Sequence, residues 1–218
     1  MVMITLYEEL QVLSIHEDKG IFIGSALDRL KPGLVGAILA ELALASKICS
    51  TNNHRLTVEN GDPTNDPILD AALSAIKSSD KERKFGYWLN SLYPKPEKLL
   101  KKIIKRLVEK GILNQEDDNL GWAVPSPLHP EVNASAKYAV IQHLRSIVLA
   151  KEQAGPREIA FLSLVSASGL LDLVFLRDER KIASQYINGL VVGSAMNDPL
   201  LETIQEIDSA IMGVVEED

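Results

Sequence analysis

The sequence predicts a mainly α-helical fold: a single domain over residues 1–218, built around a central buried helix, with one or two short β-hairpins. Three observations carry that expectation. Apolar residues recur at helical spacing through most of the chain. Hydrophobic residues are 46% of 218, enough to bury a sizeable core unaided. The stretch Ile159 to Phe175, IAFLSLVSASGLLDLVF, is apolar on all sides. It is short for a bilayer crossing and is interrupted by Ser163, Ser166, Ser168 and Asp172, which suits a helix at the centre of a globular core.

The elements follow in order. Leu6 to Ile15 is a short helix with Glu8 and Glu9 in its first turn, where carboxylates favour the helix dipole. His16 to Gly20 reads as a turn ending on a glycine suited to positive φ. Ser25 to Leu30 reads as a further helical turn. Pro32-Gly33 then starts a helix over Leu34 to Ser46, dense in Ala and Leu, with Glu41 as its charge and therefore nearly buried. Lys47 to Glu59 holds two β-like runs about Asn52-Asn53, a hairpin signal. Asp66 is an N-cap and Pro67 a first-turn proline for a helix reaching about Ser78. Ser79 to Lys84 is a polar connector. Gly86 to Leu92 is helical and is stopped by Pro94 and Pro96. A helix over Glu97 to Lys110 ends at Gly111, a C′ glycine. Ile112 to Val124 reads as a second hairpin, with strands ILN and LGWAV and an acidic tip, QEDDN. Pro125, Pro127 and Pro130 mark a loop. Helices follow near Ser135 to Gln153, Pro156 to Arg177 and Glu179 to Val191, and a last amphipathic helix spans Asp198 to Val215.

The strongest functional signal is the helix EKLLKKIIKRLVEK, Glu97 to Lys110. Leu99, Leu100, Ile103, Ile104, Leu107 and Val108 make one apolar stripe. Lys98, Lys101, Lys102, Lys105, Arg106 and Lys110 occupy the other face. The chain as a whole carries a net charge of −7. A concentrated positive face on such a chain is either an ordinary solvated helix surface or a docking site for anions: phosphoinositide headgroups, a bilayer surface or nucleic-acid phosphates. The overall acidity argues against a general nucleic-acid binder. The N-terminus has Glu8 and Glu9 where a signal peptide carries Lys or Arg, and it lacks an unbroken apolar stretch. A cytoplasmic protein is the expectation.

Catalytic signals are weak. Cys49 is the only cysteine, so neither a disulfide framework nor a cysteine zinc site is available. His16, His54, His129 and His143 show no metal-ligand spacing on one element. Gly33-Leu34-Val35-Gly36 lacks the strand before it and the Lys-Ser/Thr ending of a phosphate loop. Asp62, Asp66 and Asp70 fit turn and capping chemistry. Trp88 reads as packing, and Trp122 as packing or a contact surface. No enzyme, metal or cofactor is expected.

Three motifs occur in fixed order: TLYEEL (Thr5 to Leu10) with GLVGAILAELAL (Gly33 to Leu44), DPTNDPILDAAL (Asp62 to Leu73), and LVEKGIL (Leu107 to Leu113). A fourth is PREIAFLSLVSASGLLDLVF, Pro156 to Phe175. Together they resemble the Golgi phosphoprotein 3 family and its bacterial relatives over nearly the whole chain. The resemblance implies a mostly α-helical domain with a protruding β-hairpin. It also implies a peripheral membrane protein whose eukaryotic members bind phosphatidylinositol 4-phosphate and act as adaptors retaining glycosyltransferases.

Residue by residue, the resemblance carries no intact headgroup pocket. Where the Golgi members have an Arg in the G-L-x-G turn, this chain has Val35. Their Trp falls near Ala26, and two further Arg fall on Glu97 and Leu100. The same region offers Arg29 and Lys31 before the turn and Lys98, Lys101 and Lys102 on the helix, the makings of a less selective anion site. The hairpin tip holds Glu116, Asp117 and Asp118, which anionic lipid repels. The leading expectation is a non-enzymatic adaptor on anionic phospholipid or phosphoinositide membranes, with client proteins and self-association through the 112–124 hairpin as further partners. The alternatives are a protein-binding scaffold with no lipid role and a winged-helix-like nucleic-acid-binding module, since a basic helix followed by a hairpin shares that outline.

Overall fold

The computed structural model describes residues 4–15, 27–114, 131–132, 134–195 and 198–216. The described residues are mainly helical. The helices are α1 (Leu6–Ser14), α2 (Leu27–Leu44), α3 (Pro67–Lys77), α4 (Phe85–Ser91), α5 (Pro96–Glu109), α6 (Ala134–Leu149), α7 (Pro156–Ala167), α8 (Arg180–Ala195) and α9 (Pro199–Glu216). Strands β1 (Ile48–Ser50), β2 (Arg55–Val58) and β3 (Arg83–Lys84) form an antiparallel sheet in that order, and β4 (Leu113–Asn114) pairs with β5 (Glu131–Val132).

One hydrophobic cluster runs from Leu6 to Ile211, and α2 lies at its middle. This helix packs against α1, α3, α4, α7 and α9. Its Leu34, Val35, Ile38, Leu39 and Leu42 are all buried. The helix starts earlier than expected and runs unbroken through Pro32. A proline there forfeits one backbone hydrogen bond. Burying Leu30 and Leu34 against the neighbouring helices outweighs that loss. Gly33 and Gly36 are seams of close packing. A Cβ at Gly33 would fall 2.3 Å from Ser168 Oγ, and one at Gly36 would fall 2.4 Å from Ile211 Cδ1.

Two expectations are corrected, and a third lies outside the described residues. The apolar stretch 159–175 is not one helix: α7 stops at Ala167, Gly169 turns the chain at φ +65°, and a 3-10 turn spans Leu171–Leu173. The central buried helix is therefore α2, with α7 packed against it. The polar connector 79–84 contains β3, whose Arg83 and Lys84 extend the first hairpin by pairing with Leu56 and Arg55. A two-residue strand leaves no alternation to read. Leu113 and Asn114 pair with Val132 and Glu131. The partner expected for that strand, LGWAV, lies within 115–130, outside the described residues, as do the acidic tip and Trp122.

Candidate functional site

The basic helix α5 is held by both ends and by one face. Pro96 occupies its first turn with Glu97 beside it, and Gly111, at φ +67°, follows its C-terminus. Both are expected from backbone chemistry: proline tolerates the first turn, and glycine takes the left-handed conformation that ends a helix. Leu99, Ile103, Ile104 and Leu107 are buried, and Leu100 and Val108 pack at the edge of the core. The opposite face leaves Lys98, Lys101, Lys102 and Lys105 exposed along two turns. Lys105 makes only a loose surface contact with Glu109, at 3.8 Å.

The remaining basic groups of the helix turn inward. Glu8 of α1 is fully buried. Its Oε2 accepts from the Thr5 backbone N–H at 2.7 Å, from Thr5 Oγ1 at 2.9 Å and from Lys110 Nζ at 2.7 Å. Its Oε1 accepts from Arg106 Nε at 3.3 Å. Arg106 Nη2 also donates to Asp66 Oδ2 at 2.7 Å. The same Asp66 oxygen takes the Tyr7 hydroxyl at 2.6 Å, while Oδ1 caps α3 through the N–H groups of Ile68 and Leu69. Burial and the Asp66 carboxylate push the Tyr7 hydroxyl far above its usual range, so Tyr7 donates. Burial works against the charge on Arg106, but the carboxylates of Asp66 and Glu8 hold it above even the ordinary guanidinium range. The network fastens α5 to α1 and to the N-terminus of α3.

The predicted site residues are thus distributed. Lys98, Lys101 and Lys102 come together on one exposed helical face. Lys31 is half-buried on α2, and Arg29 lies in the same helix with its side chain outside the described set. Both α2 and α5 pack on α1. Val35 is corrected: it is fully buried and has no surface to present to a headgroup. Gly33 sits inside α2 rather than in a turn. Glu8, Asp66, Arg106 and Lys110 were not foreseen as a unit. Asp66 was legible only as a cap, and Arg106 only as one more surface cation. Their partners lie 98 and 40 positions away in the chain, and pairing across elements leaves no periodic signature.

Among the described residues no His, Cys, Asp and Glu group is arranged to hold a metal, and no helix is long and apolar enough to cross a membrane. The arrangement offers electrostatic docking, with four exposed ammonium groups on a rigid helix and an apolar face committed to the core. A family model described as Golgi phosphoprotein 3 (GPP34) matches residues 6–207.

Proposed function

This chain belongs to the Golgi phosphoprotein 3 family, and from that premise we propose that it is a non-enzymatic, adaptor-like protein that docks peripherally on anionic phospholipid through the outer face of α5. The observation that carries the reading is the row Lys98, Lys101, Lys102 and Lys105, exposed on a helix whose inner cations are already neutralised by Glu8 and Asp66. Each ammonium near an anionic surface contributes on the order of 1 kcal/mol, screened within a Debye length. The net charge of −7 adds orientation. An acidic body with one basic face approaches such a surface one way round.

The buried hydrocarbon at Val35 supports weak headgroup selectivity. Phosphatidylinositol 4-phosphate should bind little better than phosphatidylserine at matched charge. Vesicle co-sedimentation tests both points. Replacing Lys98, Lys101 and Lys102 together with Glu should weaken binding by about a hundredfold or more, and added salt should weaken the wild type steeply. A wild-type chain that ignores anionic vesicles at low ionic strength removes the lipid reading and leaves a protein-binding scaffold.

A further inference from the structure

Helix α8 packs on α6, α7 and α9 and buries Ala183, Ile187 and Val191. Its opposite face carries Ile182, Gln185, Gly189 and Val192, three and four residues apart, so they form one stripe along the helix. All four are exposed, Ile182 by 57% and Val192 by 56%. A solvated helix face normally carries charge. This one carries none. Between Lys181 and Asp198 the sequence has no Asp, Glu, Lys or Arg, in a chain where those residues make up 24%. On α9, which packs beside α8, Met212 is exposed as well.

Charge returns at the two ends of the stripe with opposite sign. Arg177 and Lys181 stand exposed at its start. Of the acids between them, Glu179 is bonded to Arg145 at 2.6 Å, which leaves Asp178. Past the other end, Asp198 starts α9 by accepting from the Leu200 N–H at 2.9 Å, and Glu202 is exposed one turn on. No Lys or Arg follows Lys181 in the sequence, so the far end has no basic side chain of its own to offset it. The 16 residues of α8 hold the two ends apart. The separation is about 24 Å, too far for pairing within one chain. A stripe that is apolar in its middle, basic at one end and acidic at the other is complementary to itself when turned end for end.

We propose that the outer face of α8 binds the same face of a second copy of this chain, the two helices antiparallel and crossing near Gly189. Arg177 and Lys181 of each copy then meet Asp198 and Glu202 of the other. The contact is isologous, so the end pairs form twice. A side chain at Gly189 would meet no atom of its own chain within 4 Å, so a second backbone can come close there. Ile182 and Val192 form the dry centre, and the charges form the rim. A face of this length, with the adjoining edge of α9, buries on the order of 1,000 Å² over both copies, the low end for a specific interface. A reversible dimer of micromolar affinity is therefore expected. It needs neither lipid nor the α5 lysines and stands apart from the docking proposed above.

Sedimentation equilibrium of the full chain, from low to high micromolar concentration at ordinary salt, tests this. The wild type should pass from monomer to dimer. Val192→Asp and Gln185→Arg set an unpaired charge in the centre and should each weaken the dimer by about tenfold or more. Gln185 is polar and exposed, so Gln185→Arg keeps the fold if Val192→Asp does not. Lys181→Glu and Glu202→Lys should each weaken the dimer alone, because both end pairs turn repulsive. Mixed in equal amounts, these two variants should form a heterodimer about as strong as the wild type, since every reversed charge then meets its opposite. Loss in the single variants with recovery in the mixture supports the antiparallel contact. Single reversals without loss, or a mixture without recovery, overturn it. A wild type that stays monomeric at every concentration overturns it too, as does a dimer that neither Val192→Asp nor Gln185→Arg weakens. If the wild type is monomeric and Val192→Asp lowers its binding to anionic vesicles, the face is a membrane contact and the dimer is likewise overturned.

Discussion

The inner edge and the outer face of α5 carry the same kinds of side chain and differ in what surrounds them. On the inner edge, Arg106 and Lys110 are about a quarter exposed and meet carboxylates at 2.7 to 3.3 Å, one of them fully buried. On the outer face, Lys105 is 78% exposed and its nearest carboxylate oxygen is 3.8 Å away. Solvent screens the outer charges, so they contribute little to folding and stay available to a partner. The inner cations are largely shielded from water and meet a Glu8 carboxylate that is fully buried, so Glu8 depends on its partners being in place. Burial, rather than residue type, decides which cation holds the helix and which faces outward.

The comparison is broken most severely at Glu8. Glu8→Ala removes the acceptor shared by Arg106, Lys110 and the first turn of α1. A loss of about 3–5 kcal/mol is expected, the usual consequence of breaking a buried ion pair from one side. Chemical denaturation measures it. The same experiment tests the proposal that residues 1–218 form one domain, which should unfold in a single transition.

Asp66→Ala should cost about 3–4 kcal/mol. The variant loses the α3 cap, worth about 1 kcal/mol, a charge-assisted bond from Arg106, worth about 1.5–3 kcal/mol, and the acceptor of the buried Tyr7 hydroxyl, with partial recovery because Arg106 keeps Glu8. A double-mutant cycle between Glu8 and Arg106 sharpens the point. A coupling energy above about 1 kcal/mol is expected there. A negligible coupling would show that the inner cations are as well solvated as the outer ones.

Much of this was legible in the sequence where the determinant is local. The helical period of 97–110, the Asp66-Pro67 start and Gly111 are each set by neighbours within one or two turns, and the helices stand where those signals place them. The outward row of lysines follows directly from that period. Long-range packing was not legible. Pro32 looks like a helix start because proline usually is one; only the neighbours that bury Leu30 and Leu34 carry the helix through it. The end of α7 at Ala167 hides in an apolar run that a helix and a 3-10 turn share equally well. Val35 shows the weakness of position matching. An aliphatic residue inside GLVGAILAELAL follows the core pattern of its own helix, whatever side chain a relative carries there. The inward turn of Arg106 and Lys110 depends on α1 arriving from the other end of the chain.

The smallest effect on stability belongs to the outer face, and it separates the two halves of the comparison most cleanly. Replacing Lys98, Lys101 and Lys102 with Glu removes no contact with the core, because Leu99, Ile103, Ile104 and Leu107 bury the opposite stripe. Lys and Glu have similar helix propensity, so the backbone is indifferent. Like charges introduced along α5, beside Glu97, cost a few tenths of a kcal/mol per pair, and the altered overall charge is screened at ordinary salt. A change within about 1 kcal/mol is expected, against several for Glu8→Ala. Anionic-vesicle binding should move in the opposite order: it collapses in the triple reversal, whose fold is intact. If the reversal unfolds the chain, the outer lysines are part of the scaffold, and the division of labour on α5 is wrong. If both stability and vesicle binding survive it, the division stands for folding but the docking surface lies elsewhere on the molecule.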